Sequence, residues 1–296
     1  MSRSVRIAVA QYEPHVGDVA GNHASAVTWA RRAAAAGVGL LVLPELASSG
    51  YVFASDAEAS ASAEDARTGG IVTALTEVCA SADMYCVVGL NERDRETRHN
   101  SAILIGPEGH IATYRKLHLF NDEQSWFEPG GALPVVDLPF GRVGMVICYD
   151  LWFPEAVRAL ALAGAEVIAV PTNWVASFRR KLHDDAGNCM GDIVAMASAS
   201  QNGVVMACAD RVGVEREVRF LGASVIVGSD GWPVAGPASA EEEVLLLADV
   251  DLDGVAAARS RTPRNDLLGD RRPDSYNAVV VPPPRPAGAV PTATAP

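Results

Sequence analysis

The chain has 296 residues, 49% of them hydrophobic, and a formal net charge of −12. That is ample for a large buried core, and a single α/β domain of this length is ordinary. The acidic field repels phosphate backbones, so a nucleic-acid partner is not expected, and the best basic run, Arg179-Arg180-Lys181, reads as a solvated turn. No window approaches 18 uninterrupted apolar residues, and the N-terminus MSRSVRIAVAQYEP moves straight into a strand-like run. A membrane partner is therefore not expected, and a cytoplasmic location is. Cys79, Cys86, Cys148, Cys189 and Cys208 are scattered, odd in number and without metal-ligand spacing, so no metal is expected.

In chain order, apolar β-branched runs alternate with Ala-rich segments of helical period. The pattern predicts strands over 6–11, 40–44, 85–91, 101–106, 143–149, 167–171, 204–209, 224–228 and 245–251. Helices are predicted over 22–36, 70–82, 154–163 and 189–202, with Asn22 as an N-cap and Pro154 in a first turn. Pro107-Glu108-Gly109 and Asp230-Gly231 read as hairpin turns. Mixed parallel crossovers and antiparallel pairs predict two mixed sheets packed face to face with helices outside. Residues 1–281 read as one domain. From Pro282, PPPRPAGAVPTATAP has the composition of a disordered tail.

Three strand ends deliver a reactive side chain where an apolar run meets a turn. LLVLPELASSGY (40–51) brings Glu45 to the mouth of a sheet, where desolvation would raise its pKa and suit it to general-base work; taken alone, the segment favours an ordinary Glu opening a loop. YRKLHLFNDEQSWFEPGG (114–131) contains Lys116, one of only two lysines in a chain that otherwise relies on Arg. A compact ammonium there could stabilise an oxyanion in a way a planar guanidinium could not, though chance placement is the alternative. GRVGMVICYDLWFPE (141–155) ends a strand at Cys148 and starts a helix near Pro154, a turn that exposes a nucleophile and leaves the Tyr149 N–H as an oxyanion donor. The alternative is a buried structural cysteine, which is the reading of the other four.

Taken together, PEL at 44–46, RKLHLF at 115–120, EQSWFEPG at 123–130 and ICYDLWFPE at 147–155, with PTNW at 171–174 and DRRPDSY at 270–276, resemble the motif set of the nitrilase (carbon–nitrogen hydrolase) superfamily. The resemblance runs in order and spacing from the first strand to about Val281. It implies a four-layer αββα sandwich that dimerises to extend the layers. It also implies a triad of Glu45 as general base, Lys116 as cationic stabiliser and Cys148 as nucleophile, with Glu123 as a second glutamate lining the site. No metal or organic cofactor is implied.

Such a centre cleaves a non-peptide C–N bond through a thioester. Cys148-Tyr149-Asp150 stands where true nitrilases usually have Cys-Trp-Glu, so a small aliphatic primary amide is the favoured substrate. The acidic composition suggests that this amide carries a distal amino or guanidino group. An N-carbamoyl amine is the alternative substrate; nitrile hydrolysis, acyl transfer and a non-catalytic scaffold are further readings. Asn173 and Trp174 are candidate pocket residues, with Trp174 placed to stack on substrate. Tyr51 is a weaker candidate, and Leu151-Trp152-Phe153 reads as either pocket wall or core.

Overall fold

The computed structural model describes residues 3–176 and 181–276. Arg179, Arg180, the expected domain end at 281 and the Pro/Ala-rich tail lie outside the described residues. The chain opens with β1 (Ser4–Gln11) and crosses through α1 (Val19–Ala35) to β2 (Leu40–Val42). After α2 (Asp56–Ala61) and α3 (Gly70–Ala82) it adds β3 (Tyr85–Asp94), β4 (Thr97–Gly106) and β5 (Gly109–Arg115). Past the single turn α4 (Glu123–Trp126), a second sheet begins with β6 (Val135–Leu138) and β7 (Gly141–Met145). It continues through α5 (Pro154–Leu162), β8 (Val167–Pro171), α6 (Met190–Asn202), β9 (Val205–Ala209), β10 (Val225–Val227) and β11 (Pro233–Ala235). β12 (Val244–Asp251) then returns to pair antiparallel with β1, from Ser4↔Asp251 to Gln11↔Val244.

The two six-stranded sheets have the orders β12-β1-β2-β3-β4-β5 and β11-β10-β9-β8-β7-β6. Each is parallel in its middle, where helices make the crossovers, and antiparallel toward its edges. Alternation along β1 explains the layering. Ile7 and Val9 point between the sheets, into a core shared with Val42, Val87, Met145, Ile168 and Ala207. Ala8 and Ala10 face the opposite way, against Trp29 and Ala30 of α1 and Leu75 of α3. A one-residue slip of β1 would exchange these faces and put the larger side chains under the helices, so the pairing register is fixed by side-chain size. On the far side, Val157 and Leu160 of α5 and Ala195 and Ala199 of α6 cover the second sheet. The result is the αββα sandwich expected from the sequence. Among the described residues no helix is long and apolar enough to cross a membrane.

Two local expectations are corrected. Asn22 does not cap α1: Asp18 does, its side chain accepting from the Gly21 N–H at 2.9 Å. Asn22 lies inside the helix and clasps His15, accepting from its N–H and donating to its carbonyl, both at 2.8 Å. The strand expected over 143–149 stops at Met145, and residues Cys148–Trp152 form a tight 3-10 turn. The apolar run Val143-Gly-Met-Val-Ile does not break there; Asp150 bends the backbone, as described next.

Candidate active site

Glu45 follows the end of β2, where the chain turns sharply and Leu46 takes φ +48°. The turn is carried on Gly89 of β3, whose N–H donates to the Pro44 carbonyl at 3.1 Å. A Cβ at Gly89 would stand 2.4 Å from both the Pro44 carbonyl oxygen and the Leu46 nitrogen. Only glycine lets β3 pass this close, so Gly89 sets the height of the Glu45 carboxylate.

Lys116 leaves the end of β5 with its N–H donating to the Asn100 carbonyl at 2.9 Å. Its side chain is fully buried, and Nζ donates to Glu45 Oε1 and Glu123 Oε1, each at 2.7 Å. Asn100 Nδ2 also donates to Glu45 Oε1 at 2.7 Å. Tyr51 Oη donates to Glu123 Oε1 at 2.8 Å, so Tyr51 and Glu123 support the ammonium from behind. The loop bearing Tyr51 is gripped by buried Glu215, which accepts from the N–H groups of Val16, Tyr51 and Val52 at 2.9, 2.7 and 2.6 Å. Glu215 in turn pairs with the buried Arg211 guanidinium at 3.2 Å.

Cys148 sits at φ +44°, a left-handed conformation that costs a non-glycine residue on the order of 1–3 kcal/mol and must be held by its surroundings. Asp150 holds it. Its Oδ2 accepts from the Ile147 N–H at 2.9 Å and from Tyr114 Oη at 2.6 Å. Its Oδ1 accepts from the His118 N–H at 3.0 Å and lies 2.8 Å from His118 Nδ1. One fully buried carboxylate thus ties the cysteine turn to β5 and to the segment just past Lys116. Asp150→Asn replaces two acceptor sites with a donor against these N–H and O–H groups. It should lower the thermal midpoint and kcat together, and calorimetry with steady-state rates checks this; unchanged kcat at a lowered midpoint would confine Asp150 to stability.

The charges are set by the same burial. Desolvation raises the Glu45 pKa to about 7 and the Glu123 charge adds to the rise, against the opposing pull of Lys116 and Asn100. For Lys116, burial works downward, but the carboxylates of Glu123 and Glu45 outweigh it, so the net shift is upward and the ammonium persists at neutral pH. Burial pushes the Cys148 thiol well above its ordinary value, and the neighbouring Glu45 charge adds to that; Lys116 pulls the other way. The sulfur at rest is therefore a thiol beside a buried carboxylate and a fixed cation. Such a set can move a proton off sulfur and hold a developing negative charge.

Cys148 opens onto a cavity of about 680 Å³, lined also by Tyr149, Asn173 and Trp174. Asn173 Nδ2 donates to the Glu45 carbonyl at 2.9 Å, which fastens the end of β8 to the turn after β2. Trp174 is nearly enclosed and forms a wall. Tyr51 and Glu123 do not line this cavity; they border a smaller one of about 80 Å³. The Leu151-Trp152-Phe153 run divides: Leu151 packs in the core, while Trp152 and Phe153 line the cavity. Sequence reasoning missed Asn100, Tyr114, His118 and Glu215 and gave Asp150 no task. Polar residues inside otherwise apolar strands, such as Asn100 in HNSAILIG, were the available signal.

The sequence profile of the carbon-nitrogen hydrolase family matches residues 6–260. A nitrilase of Pyrococcus abyssi is 37% identical over 273 residues, covering 92% of this chain and 99% of its own. An N-carbamoylputrescine amidase of Solanum tuberosum is 29% identical, covering 94% and 96%. Among solved structures, a mutant of the amidase from Nesterenkonia sp. AN1, with the acetamide moiety of fluoroacetamide added covalently at its active-site cysteine, superposes with a TM-score of 0.75. It is 27% identical and covers 94% of this chain and 97% of its own. The chain belongs to the carbon–nitrogen hydrolase family. It is an enzyme of the nitrilase superfamily that hydrolyses carbon–nitrogen bonds other than peptide bonds.

Proposed function

We propose that the enzyme hydrolyses a primary amide to a carboxylic acid and ammonia through a thioester at Cys148. The observation that carries this reading is the buried Lys116 ammonium bonded to Glu45 and Glu123 at 2.7 Å each, adjoining a cysteine on a strained turn that faces a cavity. Glu45 takes the thiol proton as sulfur attacks the amide carbon. The carbonyl oxygen becomes an oxyanion beside Lys116 and the Tyr149 N–H; removing one such donor typically costs about 2.7–4 kcal/mol in the transition state. Protonated Glu45 then gives its proton to the leaving nitrogen. Ammonia departs, the C–N bond having broken as the C–S bond remains. Glu45 next takes a proton from water as the water oxygen attacks the thioester carbon; the C–S bond breaks, Glu45 returns the proton to the sulfur, and the carboxylic acid leaves.

The test is ammonia release from a panel of primary amides. Wild-type enzyme is expected to release it, and Cys148→Ala to release none while keeping the same circular dichroism; release by the alanine variant would remove Cys148 from the chemistry. Hydrolysis of an N-carbamoyl amine is the second reading, favoured by the similarity to the Solanum tuberosum enzyme named for that activity. It uses the same centre and is separated by carbon dioxide formed in equal amount with ammonia.

A further inference from the structure

The walls of the cavity in front of Cys148 narrow the substrate, an argument that rests on the proposed amide hydrolysis. Phe120, Tyr149, Trp152, Phe153 and Trp174 present aromatic surface to it, Leu221 adds aliphatic surface, and Asn121, Gln124 and Asn173 add uncharged amides. Among the described lining residues there is no Asp, Glu, Lys or Arg. His118 is the remaining titratable group there besides Cys148 and Tyr149; its Nδ1 faces Asp150 Oδ1 at 2.8 Å and its ring stacks on Phe153 at 3.6 Å. An amino, guanidino or carboxylate end entering this space would leave its water shell without gaining a counter-charge from these walls.

The space is also large. At about 680 Å³ it falls within the range of roughly 300–1,000 Å³ that encloses drug-sized molecules, far more than a two-carbon amide needs. Gly191, in the first turn of α6, keeps it open. A Cβ there would come within 2.3 Å of the Trp174 indole. Without one, the helix lies flat on the ring and Trp174 stays back as a wall.

We infer that the acyl group of the substrate is uncharged, apolar and larger than acetyl, an aryl or extended alkyl group bounded by these aromatic side chains. The distal cationic group suggested by the chain's acidic composition has no carboxylate to meet it in the described lining; the negative charge lies elsewhere.

The test measures kcat/KM of the full-length enzyme for acetamide, heptanamide, phenylacetamide and 6-aminohexanamide. Heptanamide and 6-aminohexanamide have equal heavy-atom counts and differ in a terminal methyl against an ammonium. Heptanamide and phenylacetamide should exceed acetamide by at least about 10-fold, and 6-aminohexanamide by at least about 100-fold. A second variant, Trp152→Glu, puts a carboxylate on the wall. It should raise the ratio of 6-aminohexanamide to heptanamide by about 10-fold or more, a ratio that loss of folded protein does not move. Parity of 6-aminohexanamide with heptanamide, acetamide as the best substrate, or an unchanged ratio in Trp152→Glu would each overturn the inference. Those outcomes leave amide hydrolysis standing, because ammonia is still released. Silence from all four amides would instead strike the proposed reaction, and the inference would fall with it.

Discussion

Lys116→Met is expected to lower kcat/KM by at least about 10²–10³-fold, the range found when one oxyanion donor is removed. The same substitution should destabilise the fold by about 3–5 kcal/mol, because it leaves Glu45 and Glu123 as buried carboxylates without their shared cation. Lys116→Arg separates charge from shape. Its guanidinium keeps the positive charge but must fit a fully enclosed site where Nζ makes two 2.7 Å bonds. Overpacking of that kind costs about 1–3 kcal/mol. Turnover by the arginine variant should also fall by about 10²-fold or more, since a planar fork cannot occupy the place of a point charge. Steady-state ammonia release and urea midpoints measure both effects. Normal turnover by Lys116→Arg would take the oxyanion role away from Lys116.

Glu45→Gln is expected to keep the fold, because an amide oxygen can still accept from Lys116 and Asn100, and to slow turnover by about 10²–10⁴-fold as the base is lost. The pH dependence has a definite sign. With the Glu45 pKa lifted by burial to about 7, kcat/KM should rise as pH increases through about 7 and level off above it, as the carboxylate forms. Stability runs the other way. The folded state retains a proton that the unfolded chain, with a glutamate pKa of about 4.3, has already released. This residue's contribution to stability is therefore fullest below about 4.3 and declines as pH rises toward about 7. Glu45→Gln should flatten that decline. A kcat/KM profile with no acidic limb near 7 would mean that another group is the base.

The elements that build this centre differ in how plainly the sequence states them. The paired strands of the two cores are legible because their residues are apolar on both faces, as in Leu40–Val42 and Val167–Pro171, and because Ala-rich helical segments separate them. Glu45, Lys116 and Cys148 are legible because their segments share the order and spacing of the family's motifs; Glu45 and Cys148 also follow apolar runs, and Lys116 is one of two lysines in the chain. The edge strands Val135–Leu138 and Pro233–Ala235 were not, since short half-exposed strands carry little hydrophobic signal. Nor was the work of Asp150. Its four partners come from Tyr114, His118 and Ile147, and no local periodicity joins the end of β5 to a turn more than thirty residues later. The same holds for Glu215, which reaches back to Val16 and Tyr51. Local pattern exposes the reactive groups; the residues that aim them are chosen by long-range hydrogen bonds.

The covalent acyl-enzyme at Cys148 is the step that trapping tests most directly. Enzyme mixed with a turning-over primary amide and quenched in acid within one catalytic cycle should gain the mass of the acyl group, the amide less ammonia. Peptide mapping should place that mass on Cys148 and on none of Cys79, Cys86, Cys189 or Cys208. Full turnover with no adduct at any quench time, together with retained activity in Cys148→Ala, would contradict a thioester mechanism at this centre.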